Sequence, residues 1–289
     1  MTTRFYIPGS EWLYMKIYIG SFTADRFIAE HLGVFSNNLL KKQMIDLWFF
    51  IRYQDPEYHI RARFHTKQAE NLGKLLQLFP AFLRDCGYDE RLSPRIEVGT
   101  YARELHRYGE DLMDLTEQMF FIDSVHSCKI IKNLLDTHAS ELRRVLVSML
   151  SVDSYMNAFK MSLDLKESLL SSISKGYSEE FSGRIDMKKM RSIYYNNKAA
   201  IEKFMDGTTN GEEKNDQLFQ LIDARSEDIN PIADAILYKR EGRGIIETLP
   251  SYLHMMNNRL FNSKSRVYEL LSYCYLHIYY KSLLARNIY

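Results

Sequence analysis

The sequence predicts an α+β fold: a strand-rich N-terminal lobe with a small sheet and flanking helices, then a mostly helical C-terminal lobe. Three observations point there. Runs rich in aromatic and β-branched residues, punctuated by Gly and Asp-Pro, are confined to residues 1–110. From Gly109 onward apolar residues recur at helical spacing almost without interruption. At 289 residues and 46% hydrophobic content, the chain can bury a real core. We read it as a single domain with two lobes, residues 1–125 and 126–289.

Taken in order, Trp12–Ile19 is a strand by composition, ended by Gly20. Thr23–Leu32 carries helical spacing, with Phe27, Ile28 and Leu32 to one side. Leu47–Tyr53 is a continuous apolar strand, which predicts cover on both faces. Asp55-Pro56 makes a turn, and His59–His65 is the next strand. Lys67–Phe79 reads as a helix with a stripe of Leu72, Leu75, Leu76 and Phe79. Arg95–Arg107 starts extended, and if the strand runs that far Glu97, Gly99, Tyr101, Arg103 and Arg107 share one parity. A long helix follows Gly109. Further helices are expected at Ala139–Ser151, Leu163–Ser174, Met187–Met205, Asn215–Ile222, Pro231–Lys239 and Ser265–Ala285. Asp206–Asn215 is the clearest surface loop.

Charge bounds the partners. Lys plus Arg total 38 against 37 for Asp plus Glu, a net of +1, so no direct nucleic-acid grip is expected and any basic function must be local. Cys86, Cys128 and Cys274 are dispersed and odd in number, which reads as buried thiols in a reducing compartment. The first residues lack the apolar stretch of a signal peptide, and no segment approaches the ~20 apolar residues of a membrane span. The chain is therefore expected to be cytoplasmic. Phosphate-loop, dinucleotide and metal-binding patterns are absent, and Glu241–Ile245 does not follow a strand as a phosphate loop would, so no cofactor or metal is expected. Twenty Tyr and 16 Phe suit an aromatic-rich core first, and a peptide-receiving groove second.

Two segments carry arginine where strands are expected. On His59–His65, alternation sends Ile60, Ala62 and Phe64 to the core and His59, Arg61, Arg63 and His65 to the other face. Two arginines at i and i+2 repel unless solvated or bridged by an anion; the strand alone favours a solvated face. Thr100–Gly109 adds Arg103 and Arg107. Arginine stays charged and pairs bidentately with carboxylates. In Thr248–Phe261, Pro250 suits a first helical turn and His254 and Asn258 fall one turn apart. Alone, such a histidine is more often a hydrogen-bonded core residue; beside an arginine cluster it suits proton transfer on a carboxylate-bearing substrate.

Five motifs then occur in order: Trp12-Leu-Tyr-Met-Lys-Ile-Tyr18, Phe50-Ile-Arg-Tyr-Gln-Asp-Pro-Glu-Tyr-His-Ile-Arg-Ala-Arg-Phe64, Arg103-Glu-Leu-His-Arg-Tyr-Gly109, Glu117-Gln-Met-Phe-Phe-Ile-Asp-Ser124 and His254-Met-Met-Asn-Asn-Arg-Leu-Phe261. Together they resemble the C-terminal elimination domain of lantibiotic dehydratases, which also occurs as a free-standing thiopeptide-type bacteriocin biosynthesis protein. The resemblance runs from about Glu11 to the C-terminus. It implies removal of glutamate from glutamylated Ser or Thr of a ribosomal precursor peptide, leaving dehydroalanine or dehydrobutyrine. It implies a separate partner that glutamylates from glutamyl-tRNA, making this chain the eliminating half of a split dehydratase. By motif, Arg61, Arg63, Arg103 and His254 fall on the catalytic positions, with Arg52, Tyr53, His59, Tyr101, Arg107 and Asn258 as substrate-binding candidates around them. The residues leave His254 open as base at Cα or acid toward the leaving group. Glu110 and Asn262 stand where relatives often have glycine. The family's large members suggest a homodimer or a complex with the partner; whether the leader peptide binds here stays open. The alternatives are the aza-cycloaddition of related pyridine synthases, which tend to lose the Arg and His set, and a non-catalytic peptide-binding subunit.

Overall fold

Alternation of apolar residues along β2 (Trp12–Tyr18), β3 (Leu47–Gln54) and β4 (Tyr58–His65) builds the sheet that organises the first part of the molecule. The computed structural model describes residues 2–87, 95–181, 183–207, 217–240 and 244–286. It divides into two compact units, residues 1–137 and 138–289. The division falls after α5 (Met113–Asp136), a continuous helix that the expected boundary near residue 125 would have cut.

In the first unit the sheet is antiparallel in the order β3-β4-β2-β5, with β5 at Ile96–Gly99. Arg61 lies between Lys16 and Ile51, and Arg63 between Tyr14 and Phe49. The same register sends Leu13, Met15, Ile17, Trp48, Phe50, Ile60, Ala62 and Phe64 to one face, all buried in one core. That core is closed by α1 (Ser21–Arg26), a π-helical turn (Phe27–Leu32), α2 (Gly33–Lys41), α3 (Glu70–Asp85) and α5. A Cβ on Gly33 would come within 3.0 Å of Cys128 Sγ, so glycine sets the approach of α2 to α5. Helix α5 also guards the β3 edge: Ser124 Oγ accepts the Phe50 N–H at 3.2 Å, satisfying a donor an edge strand leaves open.

A separate two-stranded sheet pairs β1 (Phe5–Tyr6) with β6 (Tyr101–Ala102). The expected single extended run from Arg95 is therefore broken. β5 and β6 belong to different sheets, and Arg107 falls in the short helix α4 (Leu105–Tyr108). Strand parity thus does not link Arg103 to Arg107. Cys86 is only half-buried, unlike Cys128 and Cys274.

The second unit is helical: α6 (Glu141–Ala158), α7 (Leu163–Glu180), α8 (Met187–Asn196), α9 (Lys198–Met205), α10 (Gln217–Lys239), α11 (Ile245–Leu260) and α12 (Ser265–Arg286). Helix α12 packs on α6, α7, α8 and α11. Ser140, Ser162 and Asp186 cap α6, α7 and α8 by accepting first-turn N–H groups. Several tyrosines fill the interior, among them Tyr155, Tyr194, Tyr252, Tyr273 and Tyr280, which favours the core explanation of the aromatic content. Three expectations are corrected. Met187–Met205 is two helices, because Asn197 returns its side chain to the Ile193 carbonyl at 2.9 Å and breaks the run. The two short helices expected at Asn215–Ile222 and Pro231–Lys239 are one, α10, carried through Pro231 by buried Leu218, Ile222, Ile229, Ala233 and Ile236 on both sides. Pro250 sits inside α11, whose first residue is Ile245. Residues 208–215 of the expected loop and 241–243 of the glycine-containing segment lie outside the described residues.

Candidate active site

The sheet face opposite the core is buried around Arg63 by aromatic rings and only part-exposed around Arg61. Arg63 is 9% exposed and His59 0%. The Arg63 guanidinium carbon lies 4.9 Å from the Tyr14 ring centre, 5.1 Å from Phe49 and 4.9 Å from Tyr101. Its Nε and Nη1 are buried and have no hydrogen-bond partner among the described residues. Burial pushes its pKa down, and Arg61 works the same way, while Tyr101 and Tyr14 oppose the shift. Aromatic faces compensate an arginine only in part, and a buried cation without an anion costs several kcal/mol. The chemistry of such a group suits an oxyanion partner.

Arg61 is held differently. Its Nε donates to His59 Nε2 at 3.1 Å, and its guanidinium lies 3.3 Å over the Tyr53 ring. His59 Nδ1 is 2.8 Å from the Glu57 carbonyl, so the neutral ring donates there and accepts from Arg61. Tyr18 and Tyr53 flank the His59 ring at 4.8 and 5.5 Å. Burial lowers the His59 pKa, which favours the neutral ring this arrangement needs. With Nε committed, the two terminal nitrogens of Arg61 have no hydrogen bond among the described residues.

Arg103 already has its anion. Its Nε and Nη2 reach Glu117 at 2.8 and 2.5 Å, and Nη2 also reaches Asp114 at 2.9 Å. Tyr101 donates its hydroxyl to Glu117 at 2.7 Å. Burial opposes the charge on Arg103, but Glu117 outweighs it and the Arg103 pKa rises. Burial pushes the Tyr101 hydroxyl well up. Arg103 and Glu117 line, with Tyr6, Trp12 and His65, a cavity of about 680 Å³. Arg52 faces the core side of the sheet, bound to Asp25 at 2.6 Å and Tyr58 at 3.1 Å. It is not brought together with Arg61 and Arg63. Arg107 is exposed and pairs with Glu104 at 3.2 Å.

In the second unit, α11 carries His254, half-buried, with Nδ1 3.1 and 3.0 Å from the two oxygens of Glu269 on α12. Glu269 is 1% exposed and also accepts from Tyr273 at 2.9 Å. Asn257 donates to the Tyr273 hydroxyl at 3.3 Å and accepts from Ser148 at 2.6 Å. This chain of bonds fixes the imidazole with Nδ1 toward the carboxylate and leaves Nε2 outside it. Asn258 is half-buried one turn further along α11. Sequence reasoning missed Glu117 and Glu269 as partners. Glu117 opens one of the ordered motifs; Glu269 lies off the Val267–Ile278 stripe, on the α12 face that carries buried Tyr273, Leu276 and Tyr280, so spacing alone gave no sign of it. Among the described residues no His, Cys, Asp and Glu group is placed to hold a metal ion.

A family model described as "Lantibiotic biosynthesis dehydratase C-term" matches residues 12–280. The chain belongs to that family. Within it, the chain is 28% identical over 197 residues to the subtilin biosynthesis protein SpaB of Bacillus subtilis, covering 66% of this chain and 18% of SpaB. It is 31% identical over 134 residues to the nisin biosynthesis protein NisB of Lactococcus lactis subsp. lactis, covering 45% of this chain and 12% of NisB. The lantibiotic dehydratase family member thus spans a small part of the curated relatives it matches. Its fold is shared with the tRNA-dependent lantibiotic dehydratase MibB of Microbispora sp. 107891, at TM-score 0.73 and 23% identity over 97% of this chain and 29% of MibB. It is shared too with the pyridine synthase TbtD from thiomuracin biosynthesis, at TM-score 0.63 and 13% identity over 94% of this chain and 99% of TbtD. The α+β class expected from sequence is the class found. No described helix is long and apolar enough to cross a membrane.

Proposed function

We propose that this member of the lantibiotic dehydratase C-terminal family eliminates glutamate from glutamylated Ser or Thr of a ribosomal precursor peptide. The observation that carries the reading is Arg63: a buried guanidinium with two unpartnered nitrogens, two residues from an arginine whose free end is held ready. Elimination makes two demands. The Cα–H bond of the esterified residue breaks, its electrons form the Cα=Cβ bond, and the Cβ–O bond breaks to release glutamate as a carboxylate. Arg61 and Arg63 are proposed to bind that carboxylate as charge grows on it, and the carbonyl oxygen as enolate charge forms. His254, its Nδ1 turned to Glu269, is proposed to move the proton through Nε2. Arg103 serves this site by holding Tyr101, through Glu117, against Arg63. The glutamyl ester is supplied by a tRNA-dependent glutamylation partner, which is also the proposed protein partner, alongside the precursor peptide itself.

The test is mass spectrometry of a synthetic peptide bearing one glutamylated Ser, incubated with the chain and nothing else. Dehydrated peptide together with free glutamate supports the reading. An intact ester in the presence of the glutamylating partner overturns it. A second reading, cycloaddition between two dehydroalanines, is favoured by the end-to-end fold match with TbtD. It is tested by offering a bis-dehydroalanine peptide and looking for a ring-closed product.

A further inference from the structure

Helices α7, α8, α9 and α12 line an open-mouthed pocket of about 740 Å³ within the second unit. That size lies in the usual range of small-ligand sites. Its rim carries Lys175, Arg191, Lys198 and Lys281, one from each helix, and among the described residues no carboxylate lines it. Lys198 has only a long contact of 3.8 Å with Glu202. Lys175, Arg191 and Lys281 have no ion pair with a described carboxylate. His277, also on the wall, is taken up by Glu167 at 2.8 Å. The whole chain carries a net charge of only +1, so four cations around one cavity are a local concentration and not the spill-over of a basic surface. The floor is different in kind: Met190, Cys274 and Tyr275 are buried there, beside the buried hydroxyl of Ser174.

We infer that this cavity binds a small ligand bearing two or more oxyanion groups, carboxylate or phosphate, with an apolar portion against the Met190–Tyr275 floor. A single negative charge would leave most of the rim uncompensated, and cations brought in on four helices repel one another until a polyvalent anion bridges them. Anions of this class are held by arginine through paired hydrogen bonds and by lysine as point charges, and the serine hydroxyl supplies a further donor. The inference does not rest on the elimination reading, since the cavity contains none of the residues assigned to it.

The experiment is isothermal titration of the purified chain at low ionic strength with pyrophosphate and, separately, with citrate. The Arg191→Gln/Lys281→Gln variant is titrated in parallel, as is Lys41→Gln/Lys42→Gln, which removes the same charge from an exposed stretch of the other unit. Saturable binding of either probe, unchanged in the Lys41/Lys42 variant and about tenfold or more weaker in the Arg191/Lys281 variant, is expected. The probe that binds tells phosphate from carboxylate. Absence of saturable binding at low-millimolar probe, or equal weakening in both variants, overturns the inference. If the double variant does not fold, Lys281→Gln alone, an exposed position, carries the comparison.

Discussion

Arg61 Nε donates to His59 Nε2 at 3.1 Å, and His59 is buried. The histidine thus acts as a neutral acceptor that aims a guanidinium. His59→Gln keeps an acceptor for Arg61 and is expected to retain most elimination activity. His59→Ala removes the acceptor and is expected to raise KM more than it lowers kcat, by roughly tenfold, the worth of about one charge-assisted hydrogen bond. Steady-state kinetics on a glutamylated peptide checks both.

The same histidine predicts a pH effect on stability. Burial lowers its pKa in the folded chain below the ordinary value, so the unfolded chain binds the proton more readily. Stability from this group is complete above the unfolded value, near about 6.5, and is lost as pH falls through the lowered folded value. Denaturant melts at stepwise lower pH are expected to show wild type losing stability from about 6.5 downward relative to His59→Gln.

Arg63 should trade stability against activity. Replacing a buried, unpaired charge by an apolar side chain of similar length removes a desolvation cost. Arg63→Met is expected to stabilise the fold by about 1–3 kcal/mol while abolishing elimination. A loss of stability in urea titration would mean that the three surrounding rings already compensate the charge.

Alternation along β4 placed Ile60, Ala62 and Phe64 in the core and Arg61 and Arg63 opposite them, as found. It could not show that Arg63 would be buried, because the rings that cover it come from three separate strands, through Tyr14, Phe49 and Tyr101. Nor could it separate Arg52, one register step away, whose partner Asp25 lies on a distant helix. Helix positions in the second unit were legible from spacing, whereas the Asn197 break and the persistence through Pro231 depend on local hydrogen bonding and on packing.

Arg103 is expected to behave unlike Arg61 and Arg63. Its two bonds to Glu117 make it half of a buried ion pair. Arg103→Ala leaves that carboxylate buried without its cation, at a cost of about 3–5 kcal/mol. Arg103→Ala/Glu117→Ala should recover part of the loss, a signature a purely substrate-binding arginine would not give. Thermal melts of the two single variants and the double variant complete the cycle.

Glu269 gives the sharpest test of His254. Both carboxylate oxygens lie within 3.1 Å of Nδ1, so Glu269→Gln preserves the size of the side chain but weakens its hold on the tautomer and on the imidazolium that proton transfer creates. In a comparable histidine–carboxylate pair, loss of the charge costs up to about 10⁴ in rate with the geometry intact. Glu269→Gln is therefore expected to lower kcat steeply, to leave KM nearly unchanged, and to accumulate the glutamylated peptide seen by mass spectrometry. Because Tyr273 also donates to Glu269, Tyr273→Phe is the control. It removes one bond to the carboxylate without touching His254, so its rate should fall far less; equal losses in the two variants would assign Glu269 to the core and leave His254 unaided.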